Sequence, residues 1–162
     1  MMRIQHVFIG IFAFFLLASS HLVQAEQNQS SQISWLTNYE EAIELAESTS
    51  KPILLFFTGS DWCGWCDKLE KEVFETADFM KETSGKLIFV KLDFPMHTPQ
   101  DTATTKQNKE LQNKFSVRSF PTVVLIDAEE RPIGVTGYRA GDGKQYSYHL
   151  MKMVNEYTAY KQ

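Results

Sequence analysis

The sequence is poor in cysteine and in positive charge, and each shortage excludes a class of protein. Its 162 residues include only two cysteines, against 16 Lys and Arg and 20 Asp and Glu. Two cysteines are too few for a small domain stabilised by several disulfides or for a cysteine-rich zinc module. A net charge of −4 leaves no basic surface of the kind that binds nucleic acid. The 12 Phe residues and the 43% hydrophobic content nevertheless predict a well-packed globular core.

The first 25 residues have the pattern of a secretory signal peptide. Arg3 is followed by an apolar stretch over residues 7–18, and Val23 and Ala25 place small residues at the −3 and −1 positions of a cleavage site. The apolar stretch is shorter than the ~20 residues of a membrane span. We therefore predict cleavage near Ala25 and export, to the periplasm in a bacterium with two membranes. The alternative is that the segment remains as an uncleaved N-terminal anchor.

The rest of the chain predicts a polar, flexible leader over residues 26–34 and one domain over residues 35–162. Helical and strand patterns alternate along this domain, which favours an α/β fold with a mixed central sheet flanked by helices. The predicted helices are 35–48, 63–74, 76–83, 106–115 and 144–160, and the predicted strands are 53–57, 87–92, 122–126 and 132–136, the last at an edge. Residues 94–105, which contain two prolines, are predicted as a loop.

The two cysteines, Cys63 and Cys66, are separated only by Gly64 and Trp65. A disulfide that closes so short a loop adds little to the stability of the fold, because it constrains the unfolded chain only slightly. The pair follows an apolar strand and opens a helix, where free backbone N–H groups stabilise a thiolate. This placement predicts redox chemistry, with Cys63 as the nucleophile and Cys66 as the resolving cysteine.

A structural disulfide and a metal site are the alternatives for the cysteine pair. A metal would need further ligands, but His97 and His149, the only histidines after the signal segment, have no ligand partner at helical spacing. We therefore predict no metal and no cofactor other than the disulfide itself.

Two motifs resemble the thioredoxin superfamily: Trp62-Cys63-Gly64-Trp65-Cys66 and Phe120-Pro121-Thr122. The longer stretches 57–66 and 92–95 are similar to exported thioredoxin-like disulfide reductases of the DsbH type and to the C-terminal domain of DsbD. The resemblance implies a thioredoxin fold with a cis Pro121 beside the cysteines. It also implies substrate contact through the backbone of Phe120, with Trp62 packed near the site. Trp65, between the cysteines, is predicted to be about half exposed and to contact substrate.

One position departs from the superfamily pattern. Thioredoxins have a buried Asp behind the second cysteine, and the matching residue here is Phe56. Lys91 stands where the partner lysine of that Asp would be. Asp61 and Asp67 are near in sequence, but we expect them to be too exposed to act as the proton acceptor for Cys66.

The uncharged Gly64-Trp65 pair favours a reducing couple, because a His between the cysteines would stabilise the thiolate and favour an oxidant. We predict a monomeric periplasmic thiol-disulfide reductase of exported proteins. Since no nucleotide or flavin motif is present, its expected reductant is a membrane electron carrier of the DsbD type. The alternatives are a disulfide-forming oxidant and a non-catalytic binding module or metallochaperone.

Overall fold

The computed structural model describes residues 32–161, so the predicted signal peptide and most of the predicted leader lie outside the described residues. This part of the chain has five strands: β1 (Trp35–Leu36), β2 (Ile53–Thr58), β3 (Ile88–Asp93), β4 (Thr122–Ile126) and β5 (Pro132–Gly137). They form one sheet in the order β1-β3-β2-β4-β5. Strands β1 and β2 are parallel to β3, whereas β4 is antiparallel to both β2 and β5.

Within residues 32–161, five α-helices connect and cover the sheet: α1 (Tyr39–Thr49), α2 (Gly64–Leu69), α3 (Ala77–Thr83), α4 (Thr102–Lys114) and α5 (Gly143–Lys161). Helix α2 continues into a π-helical segment over Glu70–Phe74, in which the N–H of Glu75 donates to the carbonyl of Glu70. The fold class predicted from the sequence, an α/β fold with a mixed central sheet, is confirmed.

The central strand β2 is buried over all six of its residues, which explains its continuous apolar sequence. Its side chains alternate between two hydrophobic clusters. Leu54 and Phe56 lie in the cluster that contains Cys66, on the sheet face covered by α2. Leu55 and Phe57 lie in the cluster on the opposite face, together with residues of α1 and α4. This alternation determines which side chains of β2 face the cysteines.

The predicted first helix begins too early. Trp35 and Leu36 form β1, and Trp35 packs its indole against the rings of Phe56 and Phe74, at centroid distances of 5.7 and 5.4 Å. Helix α1 begins only after Asn38, whose side chain accepts hydrogen bonds from the next helical N–H groups. A strand of two residues is too short to show a period in the sequence.

The predicted loop over residues 94–105 is too long. Asp101 caps α4 by accepting a hydrogen bond from Thr104 N at 2.9 Å, so the helix begins at Thr102 instead of Lys106. The two prolines of this region precede Asp101 and do not prevent the helix from starting at Thr102.

The predicted helix over residues 63–74 also differs from the structure, because it is divided between α2 and the π-helical segment.

Candidate active site

Cys63 and Cys66 form a disulfide at the start of α2, with their Cα atoms 5.3 Å apart. Cys63 is the N-cap of the helix, and its Sγ accepts a hydrogen bond from Cys66 N at 3.3 Å. The carbonyl of Gly59 accepts from Cys63 N at 2.9 Å, which ties the cysteine turn to the end of β2. The N–H of Cys66, in the first turn of the helix, is therefore directed at Cys63 Sγ, where it stabilises a thiolate.

The two sulfurs differ in their exposure. Cys66 is only 1% exposed and belongs to the hydrophobic cluster on the α2 face, whereas Cys63 is partly exposed and packs at the edge of that cluster. A partner molecule would reach Cys63 first. This arrangement is the one expected of a nucleophile and a shielded resolving cysteine.

The loop before β4 lies at the same end of the sheet. The peptide bond between Phe120 and Pro121 is cis, as the superfamily resemblance implies. Because Thr122 pairs with Phe57, Pro121 lies beside the end of β2, which leads into the cysteine turn. The ring of Phe120 contacts that of Trp62, at a centroid distance of 5.5 Å.

Trp62 links the cysteine turn to the loop after β3. Its indole Nε1 donates to the carbonyl of Phe94 at 2.7 Å, and its side chain is 39% exposed. The indole lies so close to Gly59 that a Cβ atom at that position would overlap it. Glycine at position 59 therefore allows the indole to lie against the turn.

Asp61 holds the same loop through hydrogen bonds that were not predicted from the sequence. Its carboxylate accepts hydrogen bonds from the backbone N–H groups of Met96, His97 and Thr98 at 2.7 to 2.8 Å. These bonds, that of Met96 first, lower the pKa of Asp61 to about 2. The loop is thereby held beside Trp62, with Met96 68% exposed.

Trp65, between the two cysteines in the sequence, is 58% exposed, as predicted. Its ring packs against Tyr138 at a centroid distance of 5.0 Å, and the ammonium group of Lys68 lies 5.2 Å from the Trp65 centroid. The Tyr138 hydroxyl donates to Glu72 at 2.7 Å. Tyr138 and then Glu72 raise the pKa of Lys68, so this side chain remains a cation beside the two rings. Neither Tyr138 nor Lys68 was predicted from the sequence to belong to the site.

The face behind Cys66 has an aromatic residue where thioredoxins have an acid. Phe56 is fully buried against other rings. Its register partner Lys91 forms an ion pair with Glu70 at 2.5 Å, and both side chains are largely buried. Glu70 follows Cys66 by one helical turn, and its N–H bonds to the carbonyl of Cys66. Lys91 was singled out from the sequence, but its partner Glu70 was not.

The other groups considered from the sequence stand apart from this chemistry. Asp67 is exposed and pairs with Lys71 at 2.8 Å. Within residues 32–161, no group of three or more His, Cys, Asp and Glu side chains is arranged to hold a metal ion. None of the helices in the same range combines the length and hydrophobicity that a bilayer crossing requires.

Comparisons with known proteins agree with this geometry. Residues 39–148 match the family described as Thioredoxin-like domain. The chain is 34% identical over 129 residues to the disulfide bond reductase DsbH of Chlamydia pneumoniae, and this match covers 80% of the chain and 77% of that protein. It is 38% identical over 120 residues to the thioredoxin-related protein DsbJ of the same organism, covering 74% of the chain but only 33% of DsbJ.

A solved structure described as DsbH Oxidoreductase superposes with a TM-score of 0.75 at 33% identity, over 83% of this chain and 92% of that one. The family match covers more than half of the chain, and the cysteine pair lies at the start of a helix beside a cis-proline loop. The protein therefore belongs to the thioredoxin-like family and is a thiol-disulfide oxidoreductase related to DsbH and DsbJ.

Proposed function

We propose that the protein is an exported disulfide reductase that acts in the periplasm. The direction of electron flow is inferred from the two uncharged residues between the cysteines, Gly64 and Trp65. An oxidant requires a strongly stabilised thiolate in its reduced form, and this pair supplies no charge for that purpose. The name of the relative DsbH, a disulfide bond reductase, supports the same direction.

The exchange would proceed in two steps. The Cys63 thiolate attacks one sulfur of the substrate disulfide, and the other substrate sulfur leaves as a thiolate. Cys66 then attacks Cys63 Sγ, releases the second substrate thiol and closes the Cys63–Cys66 disulfide. Two electrons have left the protein and entered the substrate. The disulfide seen in the structure is the product state of this reaction.

The protein must be reduced again after each turnover. No organic cofactor is needed for thiol exchange, so we propose that a membrane electron carrier of the DsbD type supplies the two electrons as thiols. The predicted signal peptide, with cleavage near Ala25, would deliver the chain to the same compartment as its substrates, the disulfide-containing exported proteins.

An apolar rim around Cys63 is the proposed substrate surface. It combines the exposed parts of Trp62 and Trp65 with the backbone of Phe120 beside Pro121, and Met96 extends it on the loop held by Asp61. Exposed aromatic side chains at one end of a monomer are a common feature of protein-binding surfaces. We propose that a substrate segment lies across this rim with its disulfide above Cys63.

The direction of electron flow is tested by two parallel assays of the chain that begins at residue 26. We expect it to accelerate the reduction of insulin by dithiothreitol, because a reducing couple passes electrons to substrate disulfides. We expect little acceleration when its disulfide form is mixed with a reduced, unfolded disulfide protein. Little acceleration of insulin reduction together with rapid oxidation of the unfolded protein would identify an oxidant. No activity in either assay would favour a binding module.

Replacing Trp65 with alanine is expected to impair reduction of a protein substrate but not of a small one. Losing one exposed aromatic contact at an interface costs about 1–2 kcal/mol, which corresponds to a rise in KM for insulin of roughly tenfold. The rate with a small aromatic disulfide should stay within about twofold, because Trp65 does not enter the sulfur chemistry. Tyr160, 92% exposed near the end of α5, provides the matched control when it is replaced by alanine. Equal losses with both substrates would contradict a role of Trp65 in substrate binding.

A further inference from the structure

Thr58 has a buried hydroxyl with no partner. The residue is fully buried, and its Oγ1 is one of two buried side-chain oxygen or nitrogen atoms within residues 32–161 that make no hydrogen bond. The other, the hydroxyl of Tyr39, belongs to the cluster on the opposite face of the sheet. Buried hydroxyls are nearly always hydrogen-bonded, because burying one without a partner is unfavourable. The unpaired state of Thr58 therefore calls for a physical reason.

The direction of the Thr58 side chain follows from the regular pairing of β2. The ladder with β3 continues to the pair Thr58 and Asp93, so the strand keeps its alternation to its last residue. Leu54 and Phe56 face the cluster that contains Cys66. Thr58, two residues after Phe56, lies on this same face, the one covered by α2.

Thr58 is also the residue of β2 that lies nearest to the cysteine turn along the chain. The carbonyl of Gly59, the next residue, accepts from Cys63 N, and the carbonyl of Cys63 accepts from Cys66 N, both at 2.9 Å. Another polar pair on this face, Lys91 and Glu70, is bonded within itself. Of the two buried side-chain hydroxyls without a partner in residues 32–161, that of Thr58 is thus the one on this face.

We propose that the Thr58 hydroxyl positions Cys66 in the exchange reaction, by donating a hydrogen bond to Cys66 Sγ whenever the disulfide is open. In the closed disulfide, Cys66 Sγ is bonded to Cys63 and carries no charge, and the hydroxyl is left unpaired. When the disulfide opens, Cys66 Sγ becomes a thiol or thiolate, which is a better acceptor. Thr58 is then a positioning residue and stays protonated throughout.

A hydrogen bond from Thr58 to Cys66 is compatible with the bonds and protons exchanged in the second step. Cys66 loses its proton and attacks Cys63 Sγ, so the Cys63–Cys66 bond forms as the bond from Cys63 to the substrate sulfur breaks. The departing substrate sulfur takes up one proton and leaves as a thiol. A hydrogen bond from Thr58 stabilises the Cys66 thiolate before the attack. This part of the chemistry is the same whether the protein works as a reductase or as an oxidant.

The test compares Thr58→Val, which keeps the side-chain shape and removes the hydroxyl, with Thr58→Ser, which keeps the hydroxyl. A hydrogen bond to a charged group corresponds to a tenfold or larger effect. We expect Thr58→Val to raise the pKa of the Cys66 thiol, measured by thiolate absorbance, and to shift the equilibrium with glutathione about tenfold toward the disulfide at a pH above that pKa. Thr58→Ser should stay within about threefold of the parent protein in both measurements.

Denaturant unfolding of the disulfide form provides the second readout. Thr58→Val should be at least as stable as the parent in this form, because it removes an unpaired buried hydroxyl. An unchanged glutathione equilibrium in Thr58→Val, or equal shifts in both variants, would assign Thr58 to packing alone. If Thr58→Val does not fold, Thr58→Ala takes its place and is compared with Thr58→Ser in the same two measurements. All shifts are relative to the parent protein, so the result does not depend on whether the parent is reducing or oxidising.

Discussion

Replacing Cys63 with serine is expected to abolish the reduction of protein disulfides. Cys63 is the sulfur that a partner can reach, and the N–H of Cys66 in the first turn of α2 stabilises its thiolate. A serine hydroxyl at this position is not ionised near neutral pH and does not attack a disulfide. The loss of the nucleophile that attacks the substrate should lower the rate of insulin reduction by on the order of 10³-fold or more, to the background rate of the reductant.

The matched control for Cys63→Ser is the parent protein in its reduced form, which also lacks the disulfide. Both should give the same circular dichroism spectrum and similar denaturant midpoints, so a loss of activity could not be attributed to unfolding. Retention of most of the activity by Cys63→Ser would contradict the catalytic role and favour the alternative of a non-catalytic binding module.

Replacing Cys66 with serine is expected to trap the reaction after its first step. Cys63 still attacks the substrate, but nothing attacks Cys63 Sγ to release it, because the shielded sulfur one helical turn away is absent. The variant should accumulate as a mixed disulfide with protein substrates and should lose turnover as completely as Cys63→Ser. The complex is detected on a non-reducing gel as a band of higher mass that dithiothreitol removes.

The two serine variants are controls for one another. Cys63→Ser should form no such complex, since its remaining cysteine is only 1% exposed. Complexes formed by Cys63→Ser and not by Cys66→Ser would reverse the proposed roles. Complexes formed by neither variant would contradict exchange through a mixed disulfide.

The elements of the site that could be predicted from the sequence are those that depend on neighbouring residues. The cysteine spacing and the strand before it place Cys63 at a helix start, and both features require only local geometry. The Phe120-Pro121-Thr122 motif could be placed beside the cysteines only through the superfamily resemblance. The structure shows that β2 and β4 are neighbours, which brings the two motifs to one end of the sheet.

The contacts that were missed join residues far apart in sequence. Asp61 bonds to N–H groups 35 to 37 residues away, and Glu70 pairs with Lys91 across 21 residues. No local pattern distinguishes these acids from the many acidic residues that face solvent. The unpaired hydroxyl of Thr58 is similar, because an isolated Thr at the end of an apolar strand is typical of an ordinary turn.

The departure at Phe56 shows how packing constrains the chemistry. Its ring fits among Trp35 and Phe74 at 5.0 to 5.7 Å, and an aspartate in this position would place a carboxylate against aromatic rings. The region behind Cys66 is therefore mainly hydrophobic, with Thr58 at the end of β2 and the Lys91–Glu70 pair among its polar groups. Once the disulfide opens, this surrounding disfavours a charged Cys66 and makes a hydrogen bond to its thiolate more valuable.

The reduction potential of the Cys63–Cys66 couple tests the central proposal most directly. The chain from residue 26 is equilibrated in dithiothreitol or glutathione buffers of known potential, and the dithiol fraction is followed by tryptophan fluorescence, since Trp62 and Trp65 flank Cys63 in the sequence. A reductase predicts a value near that of thioredoxin, about −270 mV. A value near that of the oxidant DsbA, about −120 mV, would contradict the reductase and identify a protein that forms disulfides.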